Sequence, residues 1–141
     1  MLSMACKDAI RAMIYIVKKK SDDFISINEI AKELDLSFYF LSKILQKLVK
    51  QGLLESYRGP KGGVRLAKKP KDIKLLDIIE AIDGNAFFTE CVLGFKECSD
   101  SEPCAIHSKW AKEREKIHKL FANTTLQKIE KELENKLNIK L

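Results

Sequence analysis

The stretch LLESYRGPKGGVRLAK, residues 53–68, decides the fold. Leu53–Tyr57 and Val64–Leu66 read as two short strands. The connection between them, Arg58-Gly59-Pro60-Lys61-Gly62-Gly63, is too long for a two-residue turn. Its three glycines admit unusual φ values, and it carries two cations. What such a hairpin means depends on the elements around it.

Upstream, Ser26-Ile27-Asn28-Glu29 has the form of a capping box, with the hydroxyl over the Glu29 N–H and the Glu29 carboxylate reaching back. Ile30, Ala31 and Leu34 then give a short apolar face. Asp35-Leu36-Ser37 is a tight connection, with Ser37 placed to cap the next helix. That helix runs from Phe38 to Gln51, with Phe38, Leu41, Leu45 and Leu48 on its core face and Ile44 and Val49 widening it. Gly52 falls where a helix end favours a left-handed residue. Two short helices joined by three residues and followed by a basic hairpin are a winged helix-turn-helix. Further back, Ser3 to Lys19 forms a helix whose apolar stripe is Ile10, Met13, Ile14 and Val17.

Downstream, Leu75–Ile82 is a short helix with Leu75, Ile78, Ile79 and Ile82 apolar, closed by Asp83-Gly84. Residues 84–103 lack periodicity, and a loop of that length in a compact domain is commonly functional. Ala105 to Phe121 reads as a long helix on which Ile106, Trp110, Ile117, Leu120 and Phe121 line one side, interrupted by Glu113 and Arg114. Thr124 or Thr125 starts a last amphipathic helix carrying Leu126, Ile129, Leu133 and Leu137. The fold class is therefore mainly α with a small β-hairpin. A winged domain spans 1–83, a loop 84–104, and a long helix with the C-terminal helix 105–141.

Of the 141 residues 45% are hydrophobic, enough for a packed core. No apolar run approaches the ~20 residues that span a bilayer. The N-terminal Lys7, Asp8 and Arg11 do not suit a signal peptide, so a cytoplasmic protein is expected. Residues 1–71 hold 15 Lys/Arg against 7 Asp/Glu, whereas residues 72–141 hold 11 against 13. A basic half beside a near-neutral half points to a polyanionic partner, double-stranded DNA. With the core face of helix 38–51 turned inward, Tyr39, Ser42, Lys43, Gln46 and Lys47 face outward. These groups suit base edges and phosphates, joined by Ser37 and a half-exposed Phe40. In the wing, Arg58 has no evident structural task and suits a narrow minor groove. Gly59, Lys61 and Gly62 would let the backbone approach phosphates. No Cys-x-x-Cys pair, phosphate-binding glycine loop or paired catalytic carboxylates support an enzyme.

The cysteines are Cys6, Cys91, Cys98 and Cys104. In a reducing cytosol, three of them this close together point to metal or redox chemistry rather than a disulfide framework. His107 lies about one helical turn beyond Cys104, which suits two ligands on one site. Spacing leaves three readings open: an iron–sulfur cluster, a Cys₃His zinc site, or a thiol switch.

Four stretches together resemble the IscR-type family of bacterial winged-helix regulators, to which IscR, NsrR and CymR belong. They are RGPKGGVRLAK (58–68), IKLLDIIEAIDG (73–84), CAIHSKW (104–110) and TTL (124–126). The resemblance implies a homodimer joined through the helix 105–121 and binding a palindromic promoter site. It implies an iron–sulfur cluster on Cys91, Cys98 and Cys104. By comparison with IscR itself, His107 becomes the fourth ligand of a 2Fe–2S cluster. NsrR-like members draw an aspartate from the other subunit, so Asp8 of the partner subunit is a rival ligand, with a 4Fe–4S cluster. Asp8 is one position from the matching place, which Lys7 occupies. The first cysteine gap is one residue longer than in IscR, and the helix 38–51 differs where bases are read. The expected function is a repressor sensing cluster supply, redox state or nitric oxide. The alternative is a cluster-free or zinc-bound regulator controlled by thiol oxidation or by docking to a metabolic enzyme.

Overall fold

The computed structural model describes residues 1–96 and 98–134. Leu137, assigned above to the last helix, lies outside the described residues. The elements run α1 (Met4–Lys18), α2 (Ile27–Leu34), α3 (Phe38–Lys50), β1 (Leu54–Tyr57), β2 (Gly63–Leu66), a 3₁₀ turn (Pro70–Asp72), α4 (Leu75–Asp83), α5 (Ala86–Thr89), α6 (His107–Asn123) and α7 (Leu126–Glu134).

Each of the first three helices starts where a hydroxyl can satisfy an orphan N–H. The Ser3 hydroxyl accepts from Cys6 N–H at 3.0 Å, Ser26 from Glu29 N–H at 3.0 Å, and Ser37 from Phe40 N–H at 3.1 Å. The return half of the expected capping box does not form. The Glu29 carboxylate instead accepts from the Tyr15 hydroxyl at 2.8 Å and pairs with Lys19 at 3.1 Å, tying α2 to α1. Asp35 turns the chain between α2 and α3 in the left-handed region at φ 54°.

The core gathers Ala9, Ala12, Met13 and Ile16 of α1, Ile30 and Leu34 of α2, and Leu41, Ile44, Leu45 and Leu48 of α3. Val64, Ile73, Ile78 and Leu126 complete it. On α1 the inward face is rotated from the expected stripe. Ile16 is buried whereas Ile10 and Ile14 are only half-buried, because the small residues Cys6, Ala9 and Ala12 form the face on which α1 approaches its neighbours. Phe38 is a larger correction: it is 51% exposed, outside the core. Full burial of a Leu or Ile contributes roughly 1.5–3 kcal/mol, so this cluster dominates stability.

β1 and β2 pair antiparallel, Leu54 with Leu66 through Tyr57 with Gly63. Ile25 adds a one-residue bridge to Val64, with N–H to carbonyl distances of 2.8 and 2.9 Å. The hairpin is thereby anchored to the segment entering α2. Elsewhere the chain closes on itself through a second bridge, between Lys74 and Thr125. Leu75 N–H donates to Thr124 carbonyl at 2.9 Å, and Leu126 N–H to Ile73 carbonyl at 2.9 Å. α7 then packs back against α1 with Leu126 fully buried. α6 leans on α4 and α5 and carries Leu120 at 61% exposure. No described helix is long and apolar enough to cross a membrane.

Candidate functional site

Tyr39, Lys43, Gln46 and Lys47 form an exposed stripe along α3. Its placement follows from the burial of Leu41, Ile44, Leu45 and Leu48 on the other side. Lys43 Nζ sits 4.5 Å from the Tyr39 ring centroid, a cation–π contact that orients the ammonium. Phe40 is 39% exposed and Ser42 is half-buried. The Ser37 hydroxyl accepts the helix-capping hydrogen bond, which leaves its proton free to donate.

The wing holds two arginines with different fates. Arg65 bonds Glu55 at 2.9 Å and the Asp22 carbonyl at 3.2 Å, and lies 4.3 Å from the Phe24 ring. Arg58 is exposed at the tip and has no hydrogen-bond or ion-pair partner among the described residues, and the same holds for Lys61. The glycines have structural tasks beyond backbone access. A Cβ at Gly62 would lie 2.3 Å from the Tyr57 carbonyl oxygen, and one at Gly63 1.9 Å from that of Ile25. At Gly59, φ is +138°, and a Cβ there would meet only the Tyr57 ring, at 3.5 Å. Between α3 and the wing lies a cleft of about 570 Å³, bordered by Phe38, Ser42, Gln46, Tyr57, Arg58 and Pro60.

The cysteine loop is organised differently. The three clustered thiols are all free and half-buried. Cys98 Sγ lies 3.3 Å from His107 Nδ1, and His107 Nε2 lies 2.8 Å from Asp100 Oδ1. Backbone N–H groups of Phe95 and Leu93, and then the Cys104 thiol, hold the Cys91 thiol below its ordinary pKa. Among the described residues no three His, Cys, Asp or Glu side chains surround a common point.

α6 starts at His107, later than expected, with Ile106 as its cap residue. His107 is 7% exposed, and its N–H donates to the Cys104 carbonyl at 3.0 Å, so one tight turn joins the last cysteine to the helix. Two turns along the same face, Arg114 Nη1 lies 3.4 Å from Cys98 Sγ and 3.4 Å from the Glu90 carbonyl. Arg114 is thus a contact of the loop, not an interruption of an apolar stripe. The indole N–H of Trp110 is buried and unpartnered among the described residues, with its ring against Phe87. Ile106 is exposed, Ile117 is half-buried, and Phe121 is half-buried against Phe88.

Asp8 and Cys6 stand apart from this site. Asp8 is 4% exposed, and its carboxylate accepts from Arg11 at 3.0 Å. Burial, reinforced by Asp83, pushes the Cys6 thiol up to about 12, which makes it an inert core residue.

A helix-turn-helix whose second helix exposes hydroxyl, amide and ammonium groups, beside a wing with exposed cations, defines a winged-helix DNA-binding protein. Residues 2–132 match the Rrf2 family, described as an iron-dependent transcriptional regulator. The chain belongs to the Rrf2 family and is a DNA-binding transcriptional regulator, not an enzyme. It is 34% identical over 121 residues to a helix-turn-helix transcriptional regulator of Aquifex aeolicus, covering 84% of this chain and 83% of that one. The fold superposes on CymR, the global cysteine regulator of B. subtilis, with a TM-score of 0.79 at 26% identity, covering 93% and 96% of the two chains. It superposes on T. potens IscR with a TM-score of 0.77 at 27% identity, covering 100% and 93%.

Proposed function

We propose that this regulator is a homodimeric repressor whose DNA binding is governed by an iron–sulfur cluster carried by the loop 84–104. The observation that carries the reading is the contact of Cys98 Sγ with His107 Nδ1 at 3.3 Å, in a loop that holds two further half-buried thiols and in a chain whose family is described as iron-dependent. A single zinc ion asks four ligands to meet at one point. A two-iron cluster takes its ligands two to an iron, and mixed thiolate and imidazole ligation is within its chemistry. Three thiols and an imidazole that, among the described residues, do not meet at one point therefore suit a 2Fe–2S cluster better than zinc. The Arg114 guanidinium adds a donor beside the anionic charge that thiolates and sulfide bring. Asp100, at the far nitrogen of His107, would fix the tautomer that presents Nδ1 to iron. The burial of Asp8 against Arg11 weighs against a 4Fe–4S cluster ligated by Asp8 of the partner subunit.

Bound, the cluster supplies a redox- and nitric-oxide-reactive centre. The chain supplies its coupling. The loop joins the winged domain, 1–83, to α6 in the segment 105–141. Ile106, Trp110, Ile117, Leu120 and Phe121 are the proposed dimer contacts, of which Leu120 and Ile106 are the exposed members. Two winged domains fixed by such a helix would meet a palindromic site. Cluster state acts on DNA only through a difference in loop stability between the two spacings of the α3 helices.

A thiol switch between Cys91 and Cys104 is the second reading, favoured by the lowered Cys91 pKa, to which the Cys104 thiol contributes. There the two thiols would lose two electrons and two protons to a peroxide or disulfide oxidant and form one S–S bond. Anaerobic purification followed by absorbance and by iron, sulfide and zinc analysis separates the two. Two irons and two sulfides per chain, lost in Cys98→Ala while the dimer persists, are expected. A colourless protein free of iron would overturn the cluster reading.

A further inference from the structure

We infer that Phe38 is a specificity-determining residue that reads thymine C5-methyl groups in the target half-site. It resides in the first turn of α3, where a recognition helix meets base edges. Its ring is 51% exposed and fills no core, although the apolar alternation of α3 would have accommodated it inside. It borders the cleft between α3 and the wing together with Ser42, one turn on, whose hydroxyl is buried and unpartnered among the described residues.

The surroundings identify the occupant. Lys43, Lys47, Arg58 and Lys61 are all exposed around this face, so what covers it is a polyanion. On the major-groove edge of duplex DNA the apolar feature is the thymine methyl, which cytosine lacks. A phenyl ring that approaches it gains the burial of one methyl and gains nothing from cytosine. Tyr39 is not the reader, because its ring face is occupied by Lys43. Ser42 can then add a hydrogen bond to the neighbouring base edge, which would satisfy its hydroxyl.

The inference rests on the chain being a DNA-binding regulator, and the test keeps the two apart. Duplexes are selected by the purified full chain from a random-sequence pool, and the preferred duplex is resynthesised with each dT replaced in turn by dU, which removes only the methyl. Wild-type binding to the parent duplex tests the DNA reading itself. At one thymine or more in each half-site, dU should weaken binding about fourfold, the value of one buried methyl. Phe38→Ala should bind the parent duplex less tightly by a similar factor and no longer distinguish dT from dU there. Phe38→Leu should keep the distinction. An unchanged dT-to-dU ratio in Phe38→Ala, or no methyl-sensitive thymine for wild type, would overturn the inference. Thermal melting by circular dichroism should leave Phe38→Ala close to wild type, as expected for an exposed ring.

Discussion

The wing and the cysteine loop are both exposed connections that carry the chain's candidate functional groups, yet opposite devices hold them. The wing is set by its backbone. A ladder joins β1 to β2, a bridge ties Val64 to Ile25, and Gly62 and Gly63 pass where no side chain fits. The loop is set by side chains. Cys98, His107, Asp100 and Arg114 tie it to α6, while Val92, Leu93 and Phe95 stand 51–61% exposed. A segment held by its backbone keeps one shape as its side chains change. A segment held by a few titratable, oxidisable or metal-binding groups changes shape when their chemistry changes. The wing is rigid and the cysteine loop is conditional.

Breaking the wing's backbone should have the largest effect. Gly63→Ala places a methyl 1.9 Å from the Ile25 carbonyl oxygen, and chemical denaturation should show a loss of about 3 kcal/mol or more. A variant as stable as wild type would mean that the hairpin yields more easily than its contacts imply. Next, Arg58→Ala touches only the partner. It should weaken DNA binding by about 1–3 kcal/mol with no change in melting temperature, whereas Arg65→Ala should do the reverse on a smaller scale. Loss of DNA affinity in Arg65→Ala alone would reverse their roles. The smallest expected change is in the loop. Arg114→Ala should cost about 1 kcal/mol or less in global stability. Limited proteolysis within residues 84–106 should nevertheless become faster, and unaltered cleavage there would show that Arg114 does not tether the loop.

The sequence made the winged helix legible because its signals are local. Serine caps, period-3.6 faces and a glycine-rich hairpin each occupy a few neighbouring residues. It misled where a local signal met a distant competitor. Glu29 had the spacing for a capping box, but Tyr15 and Lys19 of α1 offered its carboxylate better partners. Phe38 continued the apolar stripe of α3, but its ring borders the cleft between α3 and the wing and stays 51% exposed. In the cysteine loop, residue types pointed to metal or redox chemistry, while the contacts of Cys98 with His107 and Arg114 join distant positions that no periodicity encodes. The role of Arg114 had one available signal: it stands seven residues after His107, two turns along one face of α6.

The backbone bridge between Lys74 and Thr125 makes residues 75–124 an excursion whose two ends are clasped side by side. The entropic cost of chain closure grows only logarithmically with length, about 0.6 kcal/mol for each doubling. Lengthening or shortening the excursion's irregular part, between α5 and α6, therefore costs the fold little. The arrangement is a socket: one DNA-binding domain can accept loops of different length and cysteine spacing.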